Sequence, residues 1–570
     1  MRLECPHELF APCKKPYCDS TLGPQTLGSC MSFAMATLWP QPLDPFHSVA
    51  LSALVAAVPL IVVLVLMGVL RKSGLFASSF GLAATALLAL LVWHMPATLL
   101  LWSTVYGIIY ALWPILGIVL SALWLYNLTQ DTGKFELLQR WMEENASGEL
   151  CIQVILVAFC FGALIEGTAG FGAPVAVTAC LLAGLGVEKS QAVILSLIAN
   201  TAPVAFGGLG IPIVALAGVT GLGLSQLSSM VGRQVPLLSF ILPMYLVWMA
   251  ARGKGLRRTW PAALVAGGSY ALTQFLASNL VGPSVTDVMA ASASILAVVV
   301  FLKVWSPDDA EQRRLRKIES AQTTRLSLKQ SVAAWLPWAM LSFVMVVWAY
   351  FNLSQAGQFI FAIPTLHNNV FITLYRKPYP ALYTFQVLGS GTAVLVATIL
   401  TALCFRVSGG VVYRSGVKAI RQLQLPGLAV MVIFALAYLY NYSGMAFTLA
   451  AAVARVGPAF PLLSSYLGWA ACFLSGSDTA SNLLFGNLQV AAAHQLHLSP
   501  ILLAATNSSG AVAGKMISPQ NIAIGVTTVG LIGHEGRILR ATFWHSILFT
   551  TILGLLAFAQ AYWLTGMIPQ

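Results

Sequence analysis

From residue 49 onward, apolar runs of membrane-crossing length alternate with short polar segments. A helix needs about 20 consecutive apolar residues to cross the hydrocarbon core of a bilayer. Runs of that kind fall at about 49–70, 75–93 and 99–128, the last containing Pro114. Others follow at about 227–250, 260–280, 285–304, 333–351, 387–404, 428–452 and 542–564. The polar segment 129–149, with Lys134 and Arg140, predicts a short surface helix.

Two regions break this pattern. Residues 150–186 are apolar but carry Gly167, Gly170, Gly172 and Pro174 in mid-run, which predicts two half-helices meeting at 167–174 as a re-entrant hairpin. Residues 188–214 then cross, interrupted at 200–203 and 207–212. Later the pattern returns. Residues 460–495 are broken within LSGSDTASNLLFGN, and 497–526 are interrupted at 506–510 and 514–519. From Asn200, Gly207 lies seven residues on and Pro212 twelve; from Asn507, Gly514 lies seven on and Pro519 twelve. Ile165-Glu166-Gly167-Thr168 likewise echoes Leu474-Ser475-Gly476-Ser477. A repeated unit is therefore expected, a hairpin followed by a broken span.

Charge placement orients the units. With the Arg71-Lys72 loop on the cytoplasmic side, successive crossings put Lys134, Arg252–Arg258, the stretch 305–329 and the stretch 406–421 on that side too, with Arg376-Lys377 the exception. Seven spans separate the hairpins, so the second enters from the opposite face. The expected fold is an all-α polytopic membrane protein with about 12 spanning helices and two re-entrant hairpins, an inverted-repeat, ion-transporter-like architecture. Its expected divisions are an N-terminal extension 1–40, a first membrane half 41–304, a basic cytoplasmic loop 305–330 and a second half 331–570. Residues 1–30 lack both a signal-peptide core and helical periodicity; the expectation there is a start at Met31 or Met35, with a disordered tail as the alternative.

Composition agrees with that class. The 570 residues are 58% hydrophobic and 8% charged, far below the roughly 25% charged of soluble domains. The net charge of +12 sits in loop clusters, so it orients the chain and does not point to nucleic acid. The nine cysteines form no CxxC pair, and no metal or cofactor motif is present. A phosphate-binding GxxxxGK[ST] loop is also missing, which argues against ATP-driven transport by this chain.

Glycine and proline free backbone groups that must be satisfied by protein or by cavity water, so a broken backbone at membrane depth marks a site. Half-helix N-termini facing a gap favour an anion. The candidate substrate-binding residues are Thr168, Asn200 and Thr201 from the first unit, and Ser477, Thr479, Thr506, Asn507, Ser508 and Ser509 from the second. Any one hydroxyl has the competing option of bonding back to its own helix. Intramembrane charge is costly and usually functional. Glu166 and Asp478, at the two hairpin tips, are the expected proton-coupling groups, and Lys515 the counter-charge for an anionic substrate or the partner of either acid. A purely structural ion pair is the alternative. His494 and His497 are expected at a rim; Asp287 and His534 are expected near loops.

EGTAGFGAPVAV, ANTAPVAFGGLGIPI and TNSSGAVAGKMISPQNIAI resemble the L-lactate permease family of bacteria, and the similarity runs from about Leu38 to the end. The resemblance implies a multi-pass inner-membrane symporter. It would move L-lactate, D-lactate, glycolate and related 2-hydroxymonocarboxylates with protons, without a cofactor. It also implies an arrangement of scaffold and transport parts that is often dimeric, so a homodimer is an expected state. An intramembrane serine hydrolase, with Ser477 and a histidine such as His494 or His545, is the enzymatic alternative. It lacks a GxSxG elbow, and the nearest histidine is seventeen residues away. A passive anion channel is the other alternative.

Overall fold

The computed structural model describes residues 38–70, 72–145, 149–168, 170, 172–305 and 326–569. The expectations for residues 1–37 and for most of the basic stretch 305–330 lie outside these. Among the described residues, ten helices are long and apolar enough to cross a membrane, or eleven if the bent pair Lys189–Ala199 and Val204–Thr220 is one span. One of the ten, Leu224–Leu280, is itself folded back. Arg252 breaks it with φ 53°. The Ser239 hydroxyl donates to Gln274 Oε1 at 2.7 Å, across 35 residues that would separate them by roughly 50 Å in a straight helix. The two arms match the spans expected at 227–250 and 260–280.

The first helix–turn–helix unit comprises Leu150–Thr168 and Ala173–Gly184. Its first arm is apolar on every side, and the structure buries it on every side. The turn uses Gly170 (φ 56°) and Gly172 (φ 84°), in the left-handed region that glycine enters without penalty. Pro174 then sits in the first turn of the second arm, where its missing N–H costs nothing. The second unit comprises Phe460–Ser475 and Asp478–Gln495. Its turn is tighter than the sequence suggests. Gly476 closes the first arm in the left-handed conformation, and Ser477 caps the second by accepting from the Ala480 amide. Thr479 to Asn487 are already helical.

Each unit is followed by an interrupted helix, but the interruptions differ. Lys189–Ala199 stops at Asn200, and Val204–Thr220 leaves at 63°, unwound again at Gly208, Leu209 and Gly210. In the second half, the break expected at 506–510 is absent. Pro500–Lys515 is one continuous helix, and the chain breaks only at Met516–Ser518 before Pro519–Thr528. The polar run Thr506–Ser509 stays helical because neighbouring side chains take up its polar groups. Small residues also let a helix pack tightly there. A Cβ on Gly510 would lie 2.1 Å from the Ser465 carbonyl oxygen, and one on Gly468 1.9 Å from that of Asn507.

The span expected at 428–452 is placed differently. The helix runs Gly409–Tyr442, carrying Arg414, Lys418 and Arg421 that were expected in a loop, and Met445–Val453 is separate. Gly444, at φ 93°, makes the break. The Gln41 side-chain amide donates to the last carbonyls of the long helix, Asn441 O at 3.0 Å and Tyr442 O at 2.9 Å. Also absent from the expectation is a small β layer. Gln358–Ala362 pairs antiparallel with Leu382–Gln386, and Val370–Ile372 lies between Trp39–Pro40 and Lys377–Pro378. This layer grips the kink at Trp113. The Trp113 Nε1 donates to Gln386 O at 2.9 Å, and the Tyr383 hydroxyl donates to Trp113 O at 2.8 Å.

The close approach at Gly510 yields a stability test. Gly510→Ala is expected to cost about 1–3 kcal/mol through overpacking, read as a lowered unfolding midpoint in detergent. Gly536→Ala, whose Cβ meets nothing within 4 Å, should leave the midpoint unchanged.

Candidate functional site

A cavity of about 120 Å³ lies where the two helix turns and the two helix breaks meet. That is room for a few waters or a small polar solute. Three helix starts and one unwound segment contribute to its walls: Gly172 before Ala173–Gly184, Ser477 with Asp478 and Thr479, Gln520 with Asn521, and the unwound Gly207 and Gly208. First-turn amides have no partner within their own helix, so this convergence favours a negative charge. Glu166 and Lys515 complete the wall.

Glu166 and Lys515 reach each other from different halves of the chain. The Lys515 ammonium donates to Glu166 Oε1 at 2.6 Å, with the two residues 7% and 3% exposed. The other carboxylate oxygen accepts from Asn200 Nδ2 at 3.0 Å. Lys515 ends its helix, where the macrodipole favours a cation. Gly207 makes room for the acid, since a Cβ there would lie 2.5 Å from Glu166 Oε1.

Among the residues singled out from sequence, Glu166, Ser477, Asp478, Thr479 and Lys515 line the cavity. Asn200 holds Glu166 at its edge. Thr168 bonds back to Leu164 O at 2.9 Å, and the buried Thr201 hydroxyl has no hydrogen-bond partner. The run Thr506–Ser509 lies behind the cavity wall. Gln234 donates to Thr506 Oγ1 at 3.0 Å and accepts from the Ser509 hydroxyl at 2.6 Å. Asn507 donates to Asn482 Oδ1 at 3.0 Å and accepts from Gln489 Nε2 at 3.2 Å. Ser508 donates to Asp478 Oδ2 at 2.8 Å, leaving Asp478 Oδ1 buried without a partner. Asn482 also donates to Pro212 O at 3.1 Å, tying the second unit to the first broken helix.

Sequence reasoning missed three contributors. Gln234 and Gln489 escaped because neutral amides inside apolar runs do not register as charges. Asn521 donates to Gly476 O at 3.2 Å and to Ser518 Oγ at 2.8 Å, fastening the second turn to the second break. Its signal is the cap spacing from Ser518 to Asn521. Asp287, expected near a loop, is 1% exposed and packs against Gly167.

Comparison with known proteins shows the family. The family model described as L-lactate permease matches residues 52–564. The chain belongs to the L-lactate permease family. Glycolate permease GlcA of Escherichia coli (strain K12) is 41% identical over 93% of this chain and 99% of its own length. The L-lactate permease of the same organism is 38% identical over 93% and 100%. The L-lactate permease of Bacillus subtilis (strain 168) is also 38% identical over 93% and 100%. As a member of this permease family the chain is a transporter and not an enzyme, and it is a multi-pass protein of the bacterial inner membrane.

The buried pair of this permease predicts a non-additive mutant cycle. Glu166→Gln and Lys515→Met should each cost about 3–5 kcal/mol of stability, because each strands a buried polar or charged partner. The double variant should recover most of that loss in detergent unfolding while remaining inactive in transport.

Proposed function

We propose that this permease takes up L-lactate, D-lactate, glycolate and related 2-hydroxymonocarboxylates by proton symport, with alternating access to the cavity between the hairpins. The names of the relatives support the substrate class. The observation that carries the mechanism is the Glu166–Lys515 pair inside a cavity walled by helix N-termini.

Electrostatics then links substrate to proton. Empty, the pair is neutral. A carboxylate substrate bound to Lys515 displaces Glu166, and a displaced buried carboxylate without a counter-ion is expensive. Protonation of Glu166 restores neutrality. Substrate alone would leave one excess negative charge in the site, and a proton alone one excess positive charge. Only the empty and doubly loaded states are cheap to carry across the bilayer, which is the condition for tight coupling. The carboxylate would take the amides at the half-helix starts, and the 2-hydroxyl would pair with Ser477, Thr479 or Asn521. Asp478, at the second tip, is the alternative carrier of the proton.

The same reading takes 150–186 and 460–495 as re-entrant hairpins entering from opposite faces. It takes 41–304 and 331–570 as inverted halves, with the hairpins and broken helices moving against the remaining frame. A homodimer held through that frame belongs to it. For the hydrolase alternative, no serine is hydrogen-bonded to a histidine among the described residues.

The test is uptake of labelled lactate and glycolate into proteoliposomes under an imposed pH gradient. Accumulation above equilibrium is expected. Uptake that stops at equilibrium would instead mean a channel. Lys515→Met should weaken half-saturation by roughly a hundredfold, since its removal leaves the substrate charge unpaired. Glu166→Gln should abolish the dependence on the pH gradient.

A further inference from the structure

Three buried carboxylates stand near one buried cation in this molecule. Glu166 takes the cation. Asp478 lines the cavity and accepts from Ser508. Asp287 does neither. It sits in the first turn of Thr286–Val304, behind the first hairpin turn. A Cβ on Gly167 would lie 2.9 Å from Asp287 Cβ and 3.1 Å from the Val288 nitrogen, so the segment carrying Glu166 rests directly on the segment carrying Asp287.

The bonding of Asp287 is one-sided. Its Oδ1 accepts from the Tyr270 hydroxyl at 3.0 Å and from Gln274 Nε2 at 3.4 Å. Its Oδ2 is buried with no partner. An unsatisfied buried acceptor costs stability, and the open Oδ2 leaves Asp287 able to take a further hydrogen bond or a proton. The same Gln274 amide also donates to Ala202 O at 3.2 Å, in the break that begins with Asn200, the residue holding Glu166. Asp287 is thus connected to Glu166 twice, through Gly167 at the end of the first arm and through the helix break at Ala202.

We infer that Asp287 is a second proton-carrying group of the transport cycle, receiving on its open Oδ2 the proton that Glu166 gives up. This rests on the symport reading above. In the step, the O–H bond of the Glu166 carboxyl breaks and an O–H bond forms at Asp287 Oδ2. Asp287 starts as the carboxylate held by Tyr270 and Gln274 and becomes the neutral acid, while Glu166 becomes anionic as the substrate leaves Lys515 and the ion pair reforms; Asp287 returns to the carboxylate by giving the proton to water on the release side. Tyr270 and Gln274 hold the receiving carboxyl in place, and they are positioning residues. The titratable groups facing Asp287 from the packed elements are Glu166, Tyr270 and Lys515, with Cys160 beside Tyr270.

The experiment compares wild type, Asp287→Asn and Asp287→Glu in proteoliposomes, measuring proton-driven lactate accumulation, lactate exchange and the pH profile of uptake. Asp287→Asn should lower accumulation relative to exchange by roughly a hundredfold, the low end of what losing a positioned proton-transfer group costs, and flatten the pH profile. Asp287→Glu should restore part of both. A wild-type pH profile in Asp287→Asn overturns the inference, and so does equal loss of accumulation and exchange, which marks a purely structural role. If Asp287→Asn does not fold, Tyr270→Phe decides: it keeps the carboxyl but removes a donor, so the pH midpoint of uptake must move, and an unmoved midpoint overturns the inference. Wild-type protein without proton-driven accumulation would defeat the symport reading itself. A coupled wild type with a coupled Asp287→Asn defeats only the role of Asp287.

Discussion

A lysine and a glutamate out of water must stay together. That constraint, set by the cost of stranding either charge in a medium of low dielectric, organises the centre of this permease. Glu166 arrives on the first hairpin arm and Lys515 at the end of a helix nearly 350 residues later, 2.6 Å apart. Asn200 fixes the acid from one side, and the bare Cα of Gly207 leaves space for it on the other.

The polar belt behind the cavity has a different task. Gln234, Asn482, Gln489, Asn507 and Ser508 bond to one another or to the helices beside them, and each is nearly or fully buried. Such a network holds its members in one arrangement only when its donors and acceptors are matched. The unmatched atoms are therefore informative. Asp478 Oδ1 and Asp287 Oδ2 stand open beside an otherwise satisfied belt. Asp478 stands at the second helix turn, and Asp287 packs against Gly167 at the end of the first arm.

Much of the fold was legible because lipid imposes a strict code. An apolar run of sufficient length must close its own backbone hydrogen bonds, so spans are readable without knowing their neighbours. The turns at Gly170, Gly172 and Gly476 were readable too, since left-handed backbone calls for glycine. Glu166, Asp478 and Lys515 stood out as charges among apolar residues. The β layer at 358–386 was not legible, because its strands are only two to five residues long and one of its two sheets depends on Trp39–Pro40 from far away in the chain. The helix Gly409–Tyr442 misled for a related reason: long basic side chains can lie on a helix while their charged ends reach water.

The sequence by itself determined that this chain lives in a membrane, that glycine turns interrupt two of its apolar stretches, and that Glu166, Asp478 and Lys515 lie among apolar residues. Hydrophobicity, glycine conformation and the cost of buried charge are local properties, and each can be read one residue at a time. Only the tertiary structure decided which polar residues share a cavity. Asn507 has the spacing of Asn200, yet one lies inside a continuous helix and the other ends a broken one. The difference is set by partners. Asn507 finds Asn482 and Gln489 across a close helix contact, whereas Asn200 turns toward Glu166. A hydrogen bond between residues far apart in sequence leaves no local trace, and so the pairing of Glu166 with Lys515 and the seat of Asp287 behind Gly167 appear only once the chain is folded.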